Sequence, residues 1–206
     1  MNLRRYSYVA MIVALATCLS GQAFSQILRS QNTHVIGFFA QIAQGRQDAN
    51  VEWRTTFTFS NPHTEDPVSG TLYFADDEGQ FMPLNFGSGP VDQIPITIPP
   101  LGSTTLTGVA DGSALKVGWA WAEFDIPVHG VATYGLVSQS QALSEVSVPA
   151  SLPTKAYFSA ATATLGIALV NAEGSSSSVT ITANGNDGSE QAVTRTIPPW
   201  GHEAFF

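Results

Sequence analysis

The chain has 206 residues and carries 8 Lys and Arg against 16 Asp and Glu, a net charge of −8. Basic residues cluster nowhere, which excludes nucleic acid and anionic membrane surfaces as partners, since both are held by a basic patch. Charged residues make up only 12% of the chain, about half the usual share; Ser, Thr, Gly and Asn take their place, as in extracellular β proteins.

The N-terminus reads as a secretory signal peptide over residues 1–25. Arg4 and Arg5 form a positive start, Tyr8 to Leu19 is uncharged and mostly apolar, and Ala23-Phe24-Ser25 has small residues where a signal peptidase reads, placing the cut before Gln26. The apolar run falls short of the ~20 residues of a membrane helix, so an uncleaved anchor is the weaker reading. Leu15-Ala16-Thr17-Cys18 resembles a lipoprotein box, but Thr before the Cys fits it poorly. Arg4-Arg5 lacks the rest of a twin-arginine signal. No later stretch is long and apolar enough for a transmembrane helix, so none is expected in the mature chain, 26–206. The single cysteine, Cys18, lies in the leader. The mature chain therefore has no disulfide, no thiol nucleophile and no Cys-type zinc site. Exported eukaryotic domains usually carry disulfides, so their absence points towards a bacterial source.

The mature chain reads as all-β: short runs of Val, Ile, Thr and aromatic residues broken every ~8–12 residues by turns. Val51 to Asn61 is the clearest strand. Trp53, Thr55, Phe57 and Phe59 share one face; Arg54, Thr56, Thr58 and Ser60 share the other. Asn61-Pro62 stops it. Gly70 to Asp76 follows as its expected hairpin partner, and Asp77-Glu78-Gly79 makes the next turn. Phe81 to Asp92 is an excursion. Ala114 to Phe124 predicts a strand with Leu115, Val117, Trp119 and Trp121 on one side. Gly118, Ala120 and Ala122 are on the other, where something packs closely. Val128 to Ser138 and Ala142 to Pro149 are the next strands. Ser151-Leu152-Pro153 marks a junction, and Gly174 to Ser178 a flexible turn. No amphipathic helix is expected.

An internal repeat organises these strands. Ile98-Pro99-Pro100-Leu101-Gly102 returns as Ile197-Pro198-Pro199-Trp200-Gly201. Each copy follows an apolar strand ending in Asn (Asn61, Asn171), then an alternating strand, then an Asp/Gly turn. A repeated run of strands and turns specifies an architecture. The expected fold is an antiparallel β-sandwich built from two related halves, about 34–150 and 154–206. The second half is too small to offset its chain entropy alone, so it packs on the first. Ala204-Phe205-Phe206 suggests a terminus zipped into a sheet.

Chemistry is sparse. The turns Asp76-Asp77-Glu78-Gly79 and Asn184-Gly185-Asn186-Asp187-Gly188 offer clustered oxygens, making Asp76, Asp77 and Asp187 the candidates for a structural calcium site. Neither matches a recognised loop spacing, and Asx-Gly pairs are what hairpin turns require. His34, His63, His129 and His202 form no metal-ligand spacing. There is no Gly-x-Ser-x-Gly elbow and no phosphate cradle. Glu123 and Asp125 are the one carboxylate pair on a strand face, and such a pair is what a glycosidase would need. Trp53, Trp119 and Trp121 sit in phase with aliphatic neighbours, the core pattern. Trp200 replaces Leu101 after Pro-Pro and is the candidate for ligand stacking. No catalytic residue and no cofactor is expected.

Trp53-Arg54-Thr55-Thr56-Phe57 with Asn61-Pro62, Phe74-x-Asp76-Asp77-x-Gly79, Ile98-Pro99-Pro100-x-Gly102, Gly118-Trp119-Ala120, Ser144-Glu145-x-x-Val148-Pro149 and Gly166-Ile167-Ala168-Leu169-Val170-Asn171 resemble, in that order, a type of uncharacterised bacterial secreted β-sandwich module. The resemblance covers most of the mature chain. It implies the fold and export and no known activity. The functional expectation is an exported, non-enzymatic extracellular or cell-envelope module with a structural or adhesive role and an unknown protein or glycan partner. It would be secreted, periplasmic or on the cell surface. A carbohydrate-binding or carbohydrate-hydrolysing sandwich is the alternative, and a small outer-membrane β-barrel a further one.

Overall fold

The computed structural model of the protein describes residues 11–16, 34–109, 112–138, 141–154 and 165–205. Cys18, the predicted cleavage site before Gln26 and Phe206 lie outside the described residues. Among the described residues every regular element is a strand.

Strand β3 (Val51–Ser60) alternates as its sequence requires: Thr55, Phe57 and Phe59 are fully buried, while Arg54, Thr56, Thr58 and Ser60 are half-buried. Its whole length pairs with β10 (His129–Ser138), which pairs outward with β11 (Gln141–Pro149). Its other edge takes β8 (Ser103–Thr107) over Thr56–Ser60 and the end of β2 (His34–Arg46) at Glu52 and Trp53. The rest of β2 leads a second row, β2, β9 (Lys116–Phe124), β4 (Val68–Asp76) and β7 (Gln93–Ile98). Strand β2 thus belongs to both rows. It passes from one partner to the other at Gly45, whose φ of 117° suits glycine and whose missing Cβ would lie 2.5 Å from the Ala114 carbonyl oxygen.

The antiparallel sheet curls so that its two rows face each other as a sandwich, and aromatic rings fill the space between them. Phe57 of one row meets Phe39 and Phe74 of the other at 5.1 and 6.0 Å, and Phe59 meets Phe124 at 5.3 Å. Ala120 and Ala122, both fully buried, belong to this interior face, where small side chains leave room for the phenyl rings opposite. The excursion after β4 forms a short hairpin, β5 (Leu84–Asn85) with β6 (Pro90–Val91). It caps the core with Met82, Leu84 and Phe86, the last stacked on Phe74 at 5.2 Å.

One sequence expectation fails here. Strand β4 is not the hairpin partner of β3; it pairs with β9 and β7. The Asn61-Pro62 corner carries the chain across to the opposite row, and Asn61 itself pins that crossing, as described below.

The second repeat has the same four strands: β12 (Leu165–Val170), β13 (Ser177–Asn184), β14 (Glu190–Ile197) and β15 (His202–Phe205). Pairing of β12 with β15 reproduces that of β3 with β8, and β13 with β14 that of β4 with β7. Of the expected terminal strand, His202–Phe205 pairs with β12. Strand β12 divides its side chains. Ala168 and Val170 join the core cluster that holds Phe38 and Trp119, and Leu169 packs with Val179 and Ile197 in a small cluster of its own. One hydrophobic core therefore crosses both repeats. The free edge of β12 is taken, in parallel, by β1 (Met11–Ala16) from within the predicted leader.

Candidate functional site

The two echoed turns are the same structure built twice. Asn61 Nδ2 donates to the carbonyls of Asp66, Ile98 and Pro99 at 2.9, 3.3 and 3.1 Å, and its Oδ1 accepts from the His63 main chain at 2.9 Å. Asn171 Nδ2 donates to Ser175, Ile197 and Pro198 at 2.7, 3.3 and 2.8 Å, and its Oδ1 accepts from the Glu173 main chain at 3.2 Å. Each Asn main-chain N–H donates to the closing glycine, Gly102 or Gly201, at 2.9 Å. Both asparagines are buried. The x residue of each Pro-Pro-x-Gly turn adopts positive φ, 52° at Leu101 and 57° at Trp200. A non-glycine residue there costs on the order of 1–3 kcal/mol, so the clamp must hold it. The Leu101 N–H donates to the His63 carbonyl, and the Trp200 N–H to that of Glu173, each at 3.0 Å.

The second turn docks on the first repeat. Trp200 packs against the shared core, and its Cβ would lie 2.6 Å from a Cβ on Gly79, which has φ of 78°. Trp119 Nε1 donates to the Trp200 carbonyl at 3.1 Å. Beside it the His202 N–H donates to the Asp77 carbonyl at 3.0 Å, and His202 Nδ1 lies 2.8 Å from Asp77 Oδ1. The His202 side chain is sealed in at 1% exposure while Asp77 is 52% exposed.

The acidic candidates are accounted for by turns and by this dock. Asp76 Oδ1 accepts from the Glu78 and Gln80 main chains at 3.1 and 2.7 Å. Asp187, at the tip of the β13–β14 hairpin, accepts from the Ser189 N–H at 2.9 Å. Ser189's hydroxyl and N–H hold its carboxyl below the usual carboxylate range. Asp76 and Asp77 lie in one turn and Asp187 in the other, and among the described residues no group of three or more His, Cys, Asp or Glu is placed to hold a metal. Glu123 Oε1 accepts from Trp121 Nε1 at 3.1 Å, while Asp125 Oδ1 accepts from the main chains of Ser69 and Ile126. His63 Nε2 lies 3.0 Å from the Pro127 carbonyl, and His129 is exposed.

The tryptophans divide differently from their sequence phase. Trp119 is buried at 2% exposure, and Trp53 is half-buried against the core. Trp121 is half-buried on the outer face of its row, stacked on Tyr73 at 4.8 Å and 12°, with Phe81 at 6.3 Å and 61% exposed. Burial first, and the Glu123 charge second, push the Tyr73 hydroxyl pKa up. This aromatic row with its carboxylate was missed because Tyr73 and Phe81 meet Trp121 only through the β4–β9 pairing. Trp200, the stacking candidate, is instead half-buried at the joint between repeats.

Comparisons with protein-family models, curated proteins and solved structures find no match.

Proposed function

We propose that the protein is an exported, non-enzymatic module of the extracellular space or cell envelope with a structural or adhesive role. The observation that carries this reading is the β13–β14 hairpin. From Thr180 to Thr196 every residue except Ile181 is exposed, so the hairpin stands off the molecule with open edges and both faces accessible. An exposed strand edge is a template for pairing with another chain. Export rests on the three-part leader. Fractionation of cells making the full chain, with mass spectrometry of its N-terminus, tests both parts. A chain beginning at Gln26 in the envelope or medium is expected. An intact Met1 in the cytoplasm overturns export, and release of sugar from glycan substrates overturns the non-enzymatic reading.

A second reading, carbohydrate binding, is favoured by the Tyr73–Trp121–Phe81 row beside Glu123, since aromatic faces with a hydrogen-bonding neighbour suit sugar rings. On a glycan array, a hit lost in Trp121→Ala and kept in Trp200→Ala would select this reading.

A further inference from the structure

Strand β12 holds in the second repeat the place of β3 in the first, and each has one edge taken by the closing strand of its repeat, β15 or β8. The other edge of β3 is filled by β10. The other edge of β12 is filled by β1, which pairs in parallel with Met11 opposite Leu165 and Ala16 opposite Val170. Strand β1 also lies beside β2 and β11, so it fills a slot one strand wide. All of β1 precedes the cut expected before Gln26. On the export reading it leaves with the leader, and the slot stands open in the mature chain.

Alternate residues of a strand turn their N–H and C=O to one edge, and an edge without a partner is a template for another chain, which natural edges blunt with charge or proline. Among the described strands with a free edge in the mature chain, β7 carries Pro95, β11 Glu145, β14 Glu190 and Arg195, and β15 Glu203, while β13 is rich in Ser and Thr. Strand β12, Leu165-Gly166-Ile167-Ala168-Leu169-Val170, has no charge, no polar side chain and no proline. Ala168 and Val170 pack in one core cluster and Leu169 in the other, which fixes the strand in place from both faces.

We propose that the mature protein is a strand acceptor: the slot beside β12 takes an extended, uncharged apolar segment from another polypeptide, laid parallel to β12. Strand β1, six residues long, shows what fits. Its sequence nearly repeats that of β12 across the register, with Ala14 and Leu15 opposite Ala168 and Leu169 and Val13 opposite Ile167. A charged segment is disfavoured, because β12 offers it no counter-charge. In such strand addition the main-chain bonds give affinity and alternate side chains give specificity. With β2 and β11 flanking the slot, an isolated strand enters it and the sheet edge of a second copy does not. The inference rests on the export reading and concerns a different surface from the β13–β14 hairpin.

The test uses protein purified from the envelope or medium of cells making the full chain, with its N-terminus read by mass spectrometry. The probe is a fluorescent peptide of residues 10–17, with lysines added at its C-terminus for solubility, followed by anisotropy. A chain beginning at Gln26 should bind it, and its melting temperature should rise with peptide concentration. Val13→Pro and Ala14→Pro, made together in the peptide, remove an N–H facing each edge and should weaken binding by ~10-fold or more, the size of one lost main-chain bond. Ile167→Lys in the protein puts a charge on the edge and should weaken binding similarly; if that variant misfolds, the peptide substitutions carry the test. A Gln26 chain that ignores the peptide, or binds the proline peptide equally well, overturns the inference and leaves export standing. So does a Gln26 chain that is dimeric without peptide and monomeric after Ile167→Lys, which would give the slot to a second copy. A chain that keeps Met1 overturns export, and this inference with it.

Discussion

In the first repeat the Pro-Pro-Leu-Gly turn leaves Leu101 69% exposed. In the second, a turn with the same bonds and the same positive φ places Trp200 against Gly79, under the indole N–H of Trp119. The hairpins differ as well. Strands β4 and β7 sit in the sandwich with Leu72, Phe74, Ile96 and Ile98 buried, whereas β13 and β14 bury only Ser177, Val179 and Ile197. The local motif is thus independent of its surroundings, while the burial of each residue depends on whether a second sheet lies behind it. The first repeat gained such a sheet from β2, β9, β10 and β11; the second borrows the outer surface of the first.

This comparison can be broken by paired substitutions. Phe59 and Leu169 hold the same position two residues before the clamp Asn, and both are fully buried. Phe59→Ala should cost about 4 kcal/mol and Leu169→Ala about 3 kcal/mol, the smaller cluster being freer to collapse. Urea unfolding followed by tryptophan fluorescence should show one transition in both variants, because Ala168 and Val170 belong to the common core. A separate early transition in Leu169→Ala would show that the second repeat unfolds by itself.

Next come the clamps. Asn61→Ala and Asn171→Ala each strand buried carbonyl groups, and each should cost about 2–3 kcal/mol. Shifts in the urea midpoint should be similar, because the main-chain bonds match, and slightly larger for Asn171→Ala, whose Oδ1 also accepts from the Ser177 hydroxyl at 3.1 Å. A clamp that proved silent in one repeat would mean that its turn is held by packing instead. The smallest effects are at the turn tips. Trp200→Leu should cost about 1–2 kcal/mol through lost apolar burial, whereas Leu101→Trp should stay within about 0.5 kcal/mol, as exposed substitutions do. Thermal melts of the two variants read this difference directly, and equal losses would contradict the docking of Trp200.

Much of the fold was legible beforehand. The two faces of β3, the strands that became β10 and β11, the turns at Asp77-Glu78-Gly79 and Asn186-Asp187-Gly188, and the repeat itself follow from alternation and turn chemistry, which act over a few residues. Asn61 and Asn171 were visible as strand ends, but not as clamps. Their bonds reach Ile98, Pro99, Ile197 and Pro198, and only the folded chain brings those together. Trp121 was assigned to the core from its phase with Trp119. The phase holds, since the two rings lie 5.0 Å apart. Their shared face is the outer one, closed over Trp119 by Trp200 and open at Trp121.

The sequence by itself therefore determined an all-β chain of two related halves, with the alternation of β3 and the Asp77 and Asp187 turns, because these depend on a period of two and on local φ preferences. Tertiary structure decided the rest. It set β4 beside β9 rather than β3 and joined Asp77 to His202. Strand neighbours are chosen by burial summed over the whole core, and no short stretch of sequence contains that sum.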